Sequence, residues 1–264
     1  MPELPEVETI RLQLKKFLVE KKITGIEIKK SKSFPNDSKL VIGAKVIDVR
    51  RFGKVCVIDL DNKYSLLVHL KLTGQLLVNG IIGPHTRVII NFDSDNLIFN
   101  DLRIFGWIKV VKTDEAENSG FIGKLGPEPF RDLTFDLFKQ ALEKTTRPIK
   151  IILMDQEKIS GVGNIYANDA LWLAKINPKT PANQLSNQLT NQLFDAILKV
   201  LKDGIKYGGA SDQHYLKPDG TRGEYQKHFL VYGRSGEPCL KCKIKIVRIV
   251  IGGRGTFYCP NCQK

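Results

Sequence analysis

The sequence predicts an α+β chain of several domains, with a β-rich N-terminal half, a helical segment after it and a cysteine-bearing unit at the end. Short β-rich runs separated by turn signals fill residues 23–112. Helical periodicity takes over after about residue 133, and four of the five cysteines lie between residues 239 and 262. At 264 residues, the chain is long enough for two modest domains.

The N-terminal half begins with a predicted helix and continues as strands. Residues 6–18 carry apolar side chains at helical spacing, namely Val7, Ile10, Leu14, Phe17 and Leu18. Seven or eight strands follow, and the clearest are KVIDVRR, KVCVIDL, YSLLVHL, QLLVNG, RVIINF, NLIFN and GWIKVV. Their short, regular spacing predicts a β-sandwich or a barrel.

The second half is helical before it reaches the cysteines. LGPEPF at 125–130 is typical of a linker, and helices are predicted at roughly 134–144, 149–155, 164–175 and 187–206. The last helix has one apolar face, formed by Leu189, Leu193, Ile197, Val200, Leu201 and Ile205. A polar, glycine-rich loop at 207–223 is longer than most connections, which favours a functional role.

The net charge of +13, from 41 basic and 28 acidic residues, favours a polyanionic partner, although a basic surface can also be merely solvated. Residues 215–264 hold ten basic and three acidic residues, so over half of the excess lies in the last fifth of the chain. The start, MPELPEVE, has no apolar signal-peptide core, and no run approaches the roughly 20 apolar residues of a membrane span. We therefore expect a cytoplasmic protein with no membrane partner.

The four C-terminal cysteines form two CxxC pairs, Cys239 with Cys242 and Cys259 with Cys262. This spacing predicts one structural Zn²⁺, because four thiolates complete a tetrahedron and leave no open position. Two disulfides are the alternative, which a reducing compartment disfavours. The residues between the pairs predict a β-hairpin that turns at Gly252-Gly253, with Arg254 at or beside its tip. Arg254 is a candidate DNA contact, although exposed hairpin arginines are usually only solvated.

The N-terminus is a candidate nucleophile. If Met1 is removed, Pro2 carries a free secondary amine, and α-amines have a pKa of about 7.7–8.0, against about 10.4 for lysine. Attack of a secondary amine on a sugar C1′ gives an iminium, which is cationic without protonation and draws electrons from neighbouring bonds. Glu3 and Glu6 follow at once and are candidate proton carriers. Acids at this position more often serve only the helix dipole.

Seven sequence words occur in one order along the chain: MPELPEVETI, GPHTRVII, DLRIFG, LGPEPF, GVGNIYAND, VYGRSGEPC and RGTFYCPNCQK. Together they resemble the formamidopyrimidine-DNA glycosylase family. The resemblance implies a bifunctional enzyme of base-excision repair, which removes oxidised purines such as 8-oxoguanine and formamidopyrimidines and then nicks the strand by β,δ-elimination. It implies a β-sandwich flanked by helices, then a helix–two-turns–helix domain and a zinc finger.

The resemblance also gives the domain bounds that we expect. They are a catalytic β-sandwich domain at 1–124, a linker at 125–132, a helix–two-turns–helix domain at 133–227 that contains the lesion-capping loop 207–223, and a zinc finger at 228–264. The implied partner is damaged double-stranded DNA, bound by a monomer that associates with the nucleoid when it is on DNA.

The site residues follow by resemblance, position by position. Pro2 matches the Schiff-base nucleophile, Glu3 the main proton donor and Glu6 a supporting acid. Lys54 matches a lysine that assists β-elimination, and Arg254 matches an arginine tied to δ-elimination. The remaining matches are DNA contacts, and they are His69, Leu72, His85, Arg103, Phe105, Lys150 and Asn164. Among these, Leu72, Arg103 and Phe105 match the residues that fill the base stack when a nucleotide is flipped out.

Several positions depart from the family pattern. Leu72 stands where methionine is usual, Leu102 and Ile104 replace a proline and a basic residue, and Asp169 replaces a glutamate. The loop SDQHYLKPDGTRGE, residues 211–224, keeps the family length but differs in chemistry. Of the properties that the resemblance implies, the lesion preference is the one that these differences most affect. Two other functions are therefore considered. One is an endonuclease VIII-like preference for oxidised pyrimidines, and the other is a zinc protein that binds DNA without catalysis.

Overall fold

The computed structural model describes all 264 residues, Met1–Lys264, and they form two compact units. The first unit comprises Met1–Lys124 and Ile205–Gln226, and the second comprises Leu125–Gly204 and Lys227–Lys264. The predicted fold class is confirmed: a β-sandwich is followed by a helical region and a four-cysteine hairpin. None of the helices combines the length and apolar character needed to cross a membrane.

The first unit is a sandwich of two antiparallel four-stranded sheets with one helix. Helix α1 spans Leu4–Leu18. The strands are β1 (Ile23–Ile28), β2 (Val46–Phe52), β3 (Val55–Leu60), β4 (Tyr64–His69), β5 (Gly74–Val78), β6 (Thr86–Phe92), β7 (Asn96–Asp101) and β8 (Trp107–Lys112). One sheet has the order β1-β6-β7-β5 and the other has the order β2-β3-β4-β8. Eight strands therefore occupy the region where seven or eight were predicted.

Helix α1 supplies one wall of the sandwich core. Its apolar face, which includes Val7, Ile10 and Leu14, is fully buried in one cluster with the inward side chains of both sheets. Pro5 lies in the first turn, where its missing N–H would have had no helical partner, and Lys15 and Lys16 lie in the last turn, where cations favour the helix dipole. The start of the chain is thereby fixed to the core.

Loop 207–223 belongs to the first unit, whereas the bounds expected from sequence put it inside the helical domain. The physical reason is Tyr215, whose ring is part of the sandwich core. Its hydroxyl donates to the carbonyl of Gly208 at 3.1 Å, so the loop is closed upon itself as well as packed on the sandwich.

The second unit contains four helices and a hairpin. The helices are α2 (Phe135–Glu143), α3 (Ile149–Met154), α4 (Asn164–Leu173) and α5 (Asn187–Lys206), and the hairpin strands are β9 (Val247–Ile251) and β10 (Arg254–Tyr258). Gly252 and Gly253 both adopt positive φ, as a two-residue turn of this type requires. The predicted helices and the predicted turn are confirmed, and Arg254 is the first residue after the turn.

Candidate active site

The N-terminal residues are buried and are held by the first turn of α1. Pro2 and Glu3 are both buried, and the helix begins immediately after them. Glu6 Oε2 accepts the backbone N–H of Glu3 at 2.7 Å, which fixes the terminal residues against the helix. The helix dipole and its unpaired N–H groups stabilise carboxylates at this end. The local fold therefore places a buried carboxyl group, that of Glu3, next to Pro2 in the chain.

The second oxygen of Glu6 binds the long loop. Oε1 accepts the backbone N–H of Ala210 at 2.8 Å, so one buried carboxylate joins the N-terminus to loop 207–223. Gly209 makes this approach possible, because its φ is +81° and an added Cβ would lie 2.7 Å from Glu6 Cγ. A glycine is required here both by its backbone conformation and by the space available.

The loop is also braced internally around Ser211. The Ser211 hydroxyl donates to the carbonyl of Tyr215 and accepts the N–H of Gly223, both at 2.8 Å. Burial, reinforced by the charge of Glu6, raises the pKa of Tyr215 well above its ordinary value, so its hydroxyl stays a proton donor. The loop that was predicted to cap the lesion thus has a defined shape within the first unit.

Lys54 directly precedes β3 and His69 ends β4, where His69 pairs with Val55, so the two lie close together and both are buried. His69 Nδ1 accepts the N–H of Lys71 at 3.0 Å, so the ring proton resides on Nε2. Burial, together with the charges of Lys71 and Lys54, lowers the pKa of His69 to about 3. His69 is therefore a neutral ring with one N–H to offer. His85, by contrast, is exposed just before β6.

A single buried acid, Asp101, shapes the loop that carries Arg103 and Phe105. Its Oδ2 accepts the N–H groups of Phe105 at 2.9 Å and Gly106 at 2.7 Å, and its Oδ1 accepts the N–H of Arg103 at 3.2 Å. The Arg103 guanidinium lies 4.9 Å from the centroid of the Phe105 ring, and both side chains are exposed. A buried carboxylate therefore presents a stacked cation–aromatic pair at the surface.

The turn that carries Leu72 is joined to the same acid. Thr73 Oγ1 donates to Asp101 Oδ1 and also accepts the N–H of Arg103 at 3.1 Å. Gly74 closes the turn, since an added Cβ would lie 2.5 Å from the carbonyl oxygen of Leu70. The three residues predicted to fill the base stack are thus carried by two adjacent loops that share Asp101.

In the second unit, a glycine-rich turn leads into α4 and is pinned by Gln156. The Gln156 amide donates to the carbonyl of Val162 at 2.8 Å, and its oxygen accepts the N–H of Gly161 at 3.0 Å. Asn164 is the first residue of α4, and its Nδ2 donates to the carbonyl of Gly255 at 3.1 Å. Asn164, which was predicted to contact DNA, therefore attaches the start of α4 to the hairpin that carries Arg254.

Lys150 serves the same hairpin from within the unit. The side chain is fully buried, and Nζ donates to the carbonyl of Gly255 at 2.9 Å and to Thr256 Oγ1 at 2.7 Å. A direct DNA contact was predicted for Lys150, but its ammonium is wholly buried against the hairpin in this structure. Arg254, by contrast, is exposed.

The four C-terminal cysteines fit a structural zinc ion. Their sulfur atoms all lie within 4.8 Å of one another, and no other side chain of a metal-binding type joins them. Burial opposes ionisation, but hydrogen bonds from the backbone N–H groups of Cys242 and Lys241 lower the pKa of the Cys239 thiol to about 6. A closed set of four sulfurs around one centre leaves no position for a substrate, so the metal supports the fold.

Three family models match this chain. The formamidopyrimidine-DNA glycosylase N-terminal domain matches residues 1–108, the formamidopyrimidine-DNA glycosylase H2TH domain matches residues 125–215, and the zinc finger found in FPG and IleRS matches residues 236–264. Together with the four-cysteine site, these matches define the class as zinc-finger DNA glycosylases.

Known relatives match over the whole chain. The formamidopyrimidine-DNA glycosylase of Lactococcus lactis subsp. cremoris is 37% identical over 273 residues, covering 100% of both proteins. That of Rickettsia africae is 40% identical over 272 residues, covering 100% of this chain and 99% of the relative. The crystal structure of the MutM (Fpg) protein from Thermus thermophilus superposes with a TM-score of 0.93 at 36% identity, covering 99% of this chain and 98% of that one. The chain belongs to the formamidopyrimidine-DNA glycosylase family.

The structure thus brings the residues expected from sequence into four groups. Pro2, Glu3 and Glu6 form the first, and Lys54 and His69 the second. Leu72, Arg103 and Phe105 form the third, and Lys150, Asn164 and Arg254 surround Gly255 in the fourth. Sequence reasoning missed Asp101 and Gln156. Asp101 had a usable signal, because an acid that ends an apolar strand before a turn is well placed to accept the N–H groups of that turn.

The neutral state of His69 makes stability depend on pH. The pKa of His69 is lowered to about 3 in the folded protein. Between about pH 6.5 and pH 3, the unfolded chain therefore binds a proton at His69 that the folded chain does not bind. Stability is therefore lost as the pH falls through this window, and His69 contributes about 2 kcal/mol of the loss between pH 7 and pH 5. Urea unfolding of the His69→Gln variant should show a loss smaller by that amount.

The exposed His85 supplies the matched control for this experiment. The variant His85→Gln should keep the full pH dependence of the original protein. An equal loss of stability in the original protein and in His69→Gln would contradict the neutral, buried assignment of His69.

Asp101→Asn should disorder the two loops that carry the stack-filling residues. One carboxylate oxygen becomes an amide NH₂ group, a donor that faces the backbone N–H donors, so the free energy of unfolding should fall by about 2–3 kcal/mol. The folded variant should also bind duplex DNA more weakly, which fluorescence anisotropy measures. Asp114→Asn, at an exposed aspartate of the same unit, is the control. Unchanged DNA affinity despite lost stability would reduce Asp101 to a purely structural residue.

Proposed function

We propose that this protein is a bifunctional DNA glycosylase and abasic-site lyase of base-excision repair, acting on oxidised purines in duplex DNA. The observation that carries the proposal is the buried start of the chain, where Glu6 holds Glu3 and the long loop together next to Pro2. Membership of the formamidopyrimidine-DNA glycosylase family supplies the reaction class. The substrate is damaged double-stranded DNA, and we expect a monomer that works in the cytoplasm on the nucleoid.

The chemical step uses the Pro2 amine as nucleophile. The Pro2 nitrogen forms a bond to C1′ of the damaged nucleotide. The glycosidic bond breaks, and the electron pair of that bond leaves with the base. Glu3 supplies the proton that the departing base or the opening sugar requires. Once the amine has lost its proton, its lone pair forms the C1′=N⁺ bond as the C1′–O4′ bond breaks, and O4′ takes up a proton from Glu3. The resulting iminium acidifies C2′ and drives β- and then δ-elimination of the two phosphates.

The reaction belongs to the chain without Met1. While Met1 is attached, the Pro2 nitrogen is a tertiary amide, and its lone pair is delocalised into the carbonyl. Proline is a small second residue, which permits trimming of Met1. Removal of Met1 is therefore the step that creates the nucleophile.

The other residues expected from sequence are assigned to holding the flipped nucleotide and its flanking phosphates. Leu72, Arg103 and Phe105 fill the stack that the flipped base leaves, with arginine available to the orphaned partner base. Asn164 and Arg254 bind phosphates from the helix start and the hairpin tip, where N–H groups and positive charge favour anions. Arg254 also serves δ-elimination. Lys54 is assigned to assisting β-elimination, and His69 and His85 are assigned to DNA contacts. The contacts of Lys54 and His69 require these side chains, buried in this structure, to become accessible on DNA.

Lys150 is assigned a supporting role. Because its ammonium is buried against Gly255 and Thr256, it holds the hairpin from which Arg254 projects. The zinc ion has the same kind of role: it fixes the fold of the hairpin when bound, and every proton and bond change belongs to other groups.

Oxidised pyrimidines are the second candidate substrate class. Solved complexes of Lactococcus lactis Fpg, 35% identical to this chain over 99% or more of both proteins, include one with abasic-site DNA at a TM-score of 0.94 and one with DNA containing an oxidised pyrimidine at a TM-score of 0.93. The loop at 211–224 differs from the family pattern in this chain. A panel of duplexes carrying oxidised purines or oxidised pyrimidines ranks the two classes by turnover.

Borohydride trapping tests the proposed nucleophile. Protein confirmed by mass to lack Met1 should form a covalent adduct with duplex DNA that carries 8-oxoguanine opposite cytosine, because borohydride reduces the iminium. Pro2→Gly should trap far less, since its primary amine forms a weaker electron sink. One extra residue before Pro2 should abolish trapping, because it converts the amine to an amide and changes no side chain.

The outcome against the proposal is equally clear. Tight binding to the damaged duplex with no adduct, by protein lacking Met1, would favour a DNA-binding module without catalysis. An adduct that persists in the extended chain would show that another amine, a lysine or the new terminal amine, serves as the nucleophile.

A further inference from the structure

One face of α4 carries three polar side chains directed at the zinc-bearing segment, residues 239–262, which runs from the first zinc-binding cysteine to the last. Asn164, Asn168 and Trp172 are spaced by four residues, so they lie one above another along the helix. The functional assignments above use only Asn164. The other two have no role in binding or chemistry assigned to them.

Each of the three makes a hydrogen bond to a different level of the zinc-bearing segment. Asn164 Nδ2 donates to the carbonyl of Gly255 at 3.1 Å, as described above. Asn168 Oδ1 accepts the backbone N–H of Phe257 at 2.7 Å. The Trp172 indole Nε1 donates to the Sγ of Cys239, a zinc ligand, at 3.4 Å. Successive turns of α4 are therefore hydrogen-bonded to the hairpin and to the metal site.

Asn168 connects these contacts to each other. Its Nδ2 donates to the carbonyl of Asn164 at 2.6 Å, so one buried amide bonds both to the first residue of α4 and to β10. Trp172 packs against the small core formed by Val231, Cys239, Ile246 and Cys259. A displacement of the metal site along the helix would therefore break several buried contacts at once.

Neighbouring contacts restrict the remaining freedom. Asp169 is fully buried, and its Oδ1 accepts the N–H groups of Val231 at 3.0 Å and Tyr232 at 3.1 Å. These two residues lead into the zinc-bearing segment, so its entry is held by the same helix. The zinc ligands, the hairpin and the start of α4 are therefore joined by one continuous set of contacts.

We propose that Trp172 and Asn168 are positioning residues, through which the zinc site holds Asn164 and Arg254 at a fixed separation. The naming of Asn164 and Arg254 as DNA-binding groups rests on the proposed function. The contact of Trp172 with the metal ligand does not, and it is tested separately. The alternative is that Trp172 only fills space beside the cysteines.

The chemistry of the indole separates these two roles. Its N–H can only donate, and a metal-bound thiolate is a strong acceptor with lone pairs to spare. Such a bond orients the ligand and withdraws charge from the sulfur, and outer-sphere partners of this kind commonly change metal affinity by about 10- to 100-fold. Phenylalanine keeps most of the packing and removes the donor.

The metal arm of the test uses the full chain with Co²⁺ in place of zinc. In Trp172→Phe, the sulfur-to-cobalt charge-transfer band should move to lower energy, and metal loss to a chelator should accelerate about 10-fold. Trp107→Phe is the matched control, because Trp107 lies in the other unit. An unchanged band together with an unchanged rate of metal loss would overturn the role of Trp172.

The DNA arm uses Asn168→Ala with its metal content and Co²⁺ spectrum verified. Loss of one buried hydrogen-bonding group should weaken binding to an abasic-site duplex about tenfold. It should also lower the ratio of δ- to β-elimination product, while borohydride trapping at saturating DNA stays within about twofold. Asn191→Ala, on the exposed face of α5, is the control.

The outcomes of the two arms are distinguishable. Normal affinity and a normal product ratio in fully metallated Asn168→Ala would overturn the role of Asn168. Failure of the unaltered protein to trap or cleave DNA would instead count against the proposed function, and the cobalt measurements would still decide the role of Trp172.

Discussion

The first unit depends on the carboxylate of Glu6. One of its oxygens accepts the N–H of Glu3 and the other accepts the N–H of Ala210, so a single buried group joins the chain start to a loop about 200 residues away. A buried carboxylate without donors costs several kcal/mol, which makes these bonds obligatory for the folded state. Neither the terminus nor the loop can therefore shift alone. Gly209 allows this arrangement, because any side chain there would occupy the space of Glu6.

In the second unit, one face of α4 joins distant segments of the chain, as the Glu6 carboxylate does in the first unit. Asn164, Asn168 and Trp172 set the hairpin and the cysteine site against α4, and Lys150 adds a buried ammonium beneath Gly255. In both units, groups that are assigned to DNA lie on segments whose backbone is held by buried polar side chains, as Asp101 holds the loop of Arg103 and Phe105. Preorganisation of this kind lowers the cost of ordering those groups when a ligand binds.

The sequence predicted local structure well and long-range partners poorly. Helical periodicity located α5, paired glycines located the hairpin turn, and CxxC spacing located the zinc ligands, because each signal lies within a few residues. The burial of Lys150 and the attachment of loop 207–223 to the sandwich depend on contacts with residues distant in sequence. Periodicity tells which face of an element is buried and does not tell what covers it. Asp101 differs, because its partners Arg103, Phe105 and Gly106 lie within five residues of it, so a local signal was available.

The hydrogen bonds within loop 207–223 show which of its side chains are already engaged and which are free to contact a ligand. Ser211, Tyr215 and Gly223 hold its two ends together, and Asp219 is engaged with Gln13 and Thr221. The side chains of residues 212–214 make no hydrogen bond within the chain and are exposed. Polar groups that are already satisfied discriminate little between ligands, whereas uncommitted donors and acceptors reject a base that cannot pair with them. Asp212, Gln213 and His214 therefore carry uncommitted donors and acceptors, while the bonds of Ser211, Tyr215 and Gly223 hold the loop in shape around them.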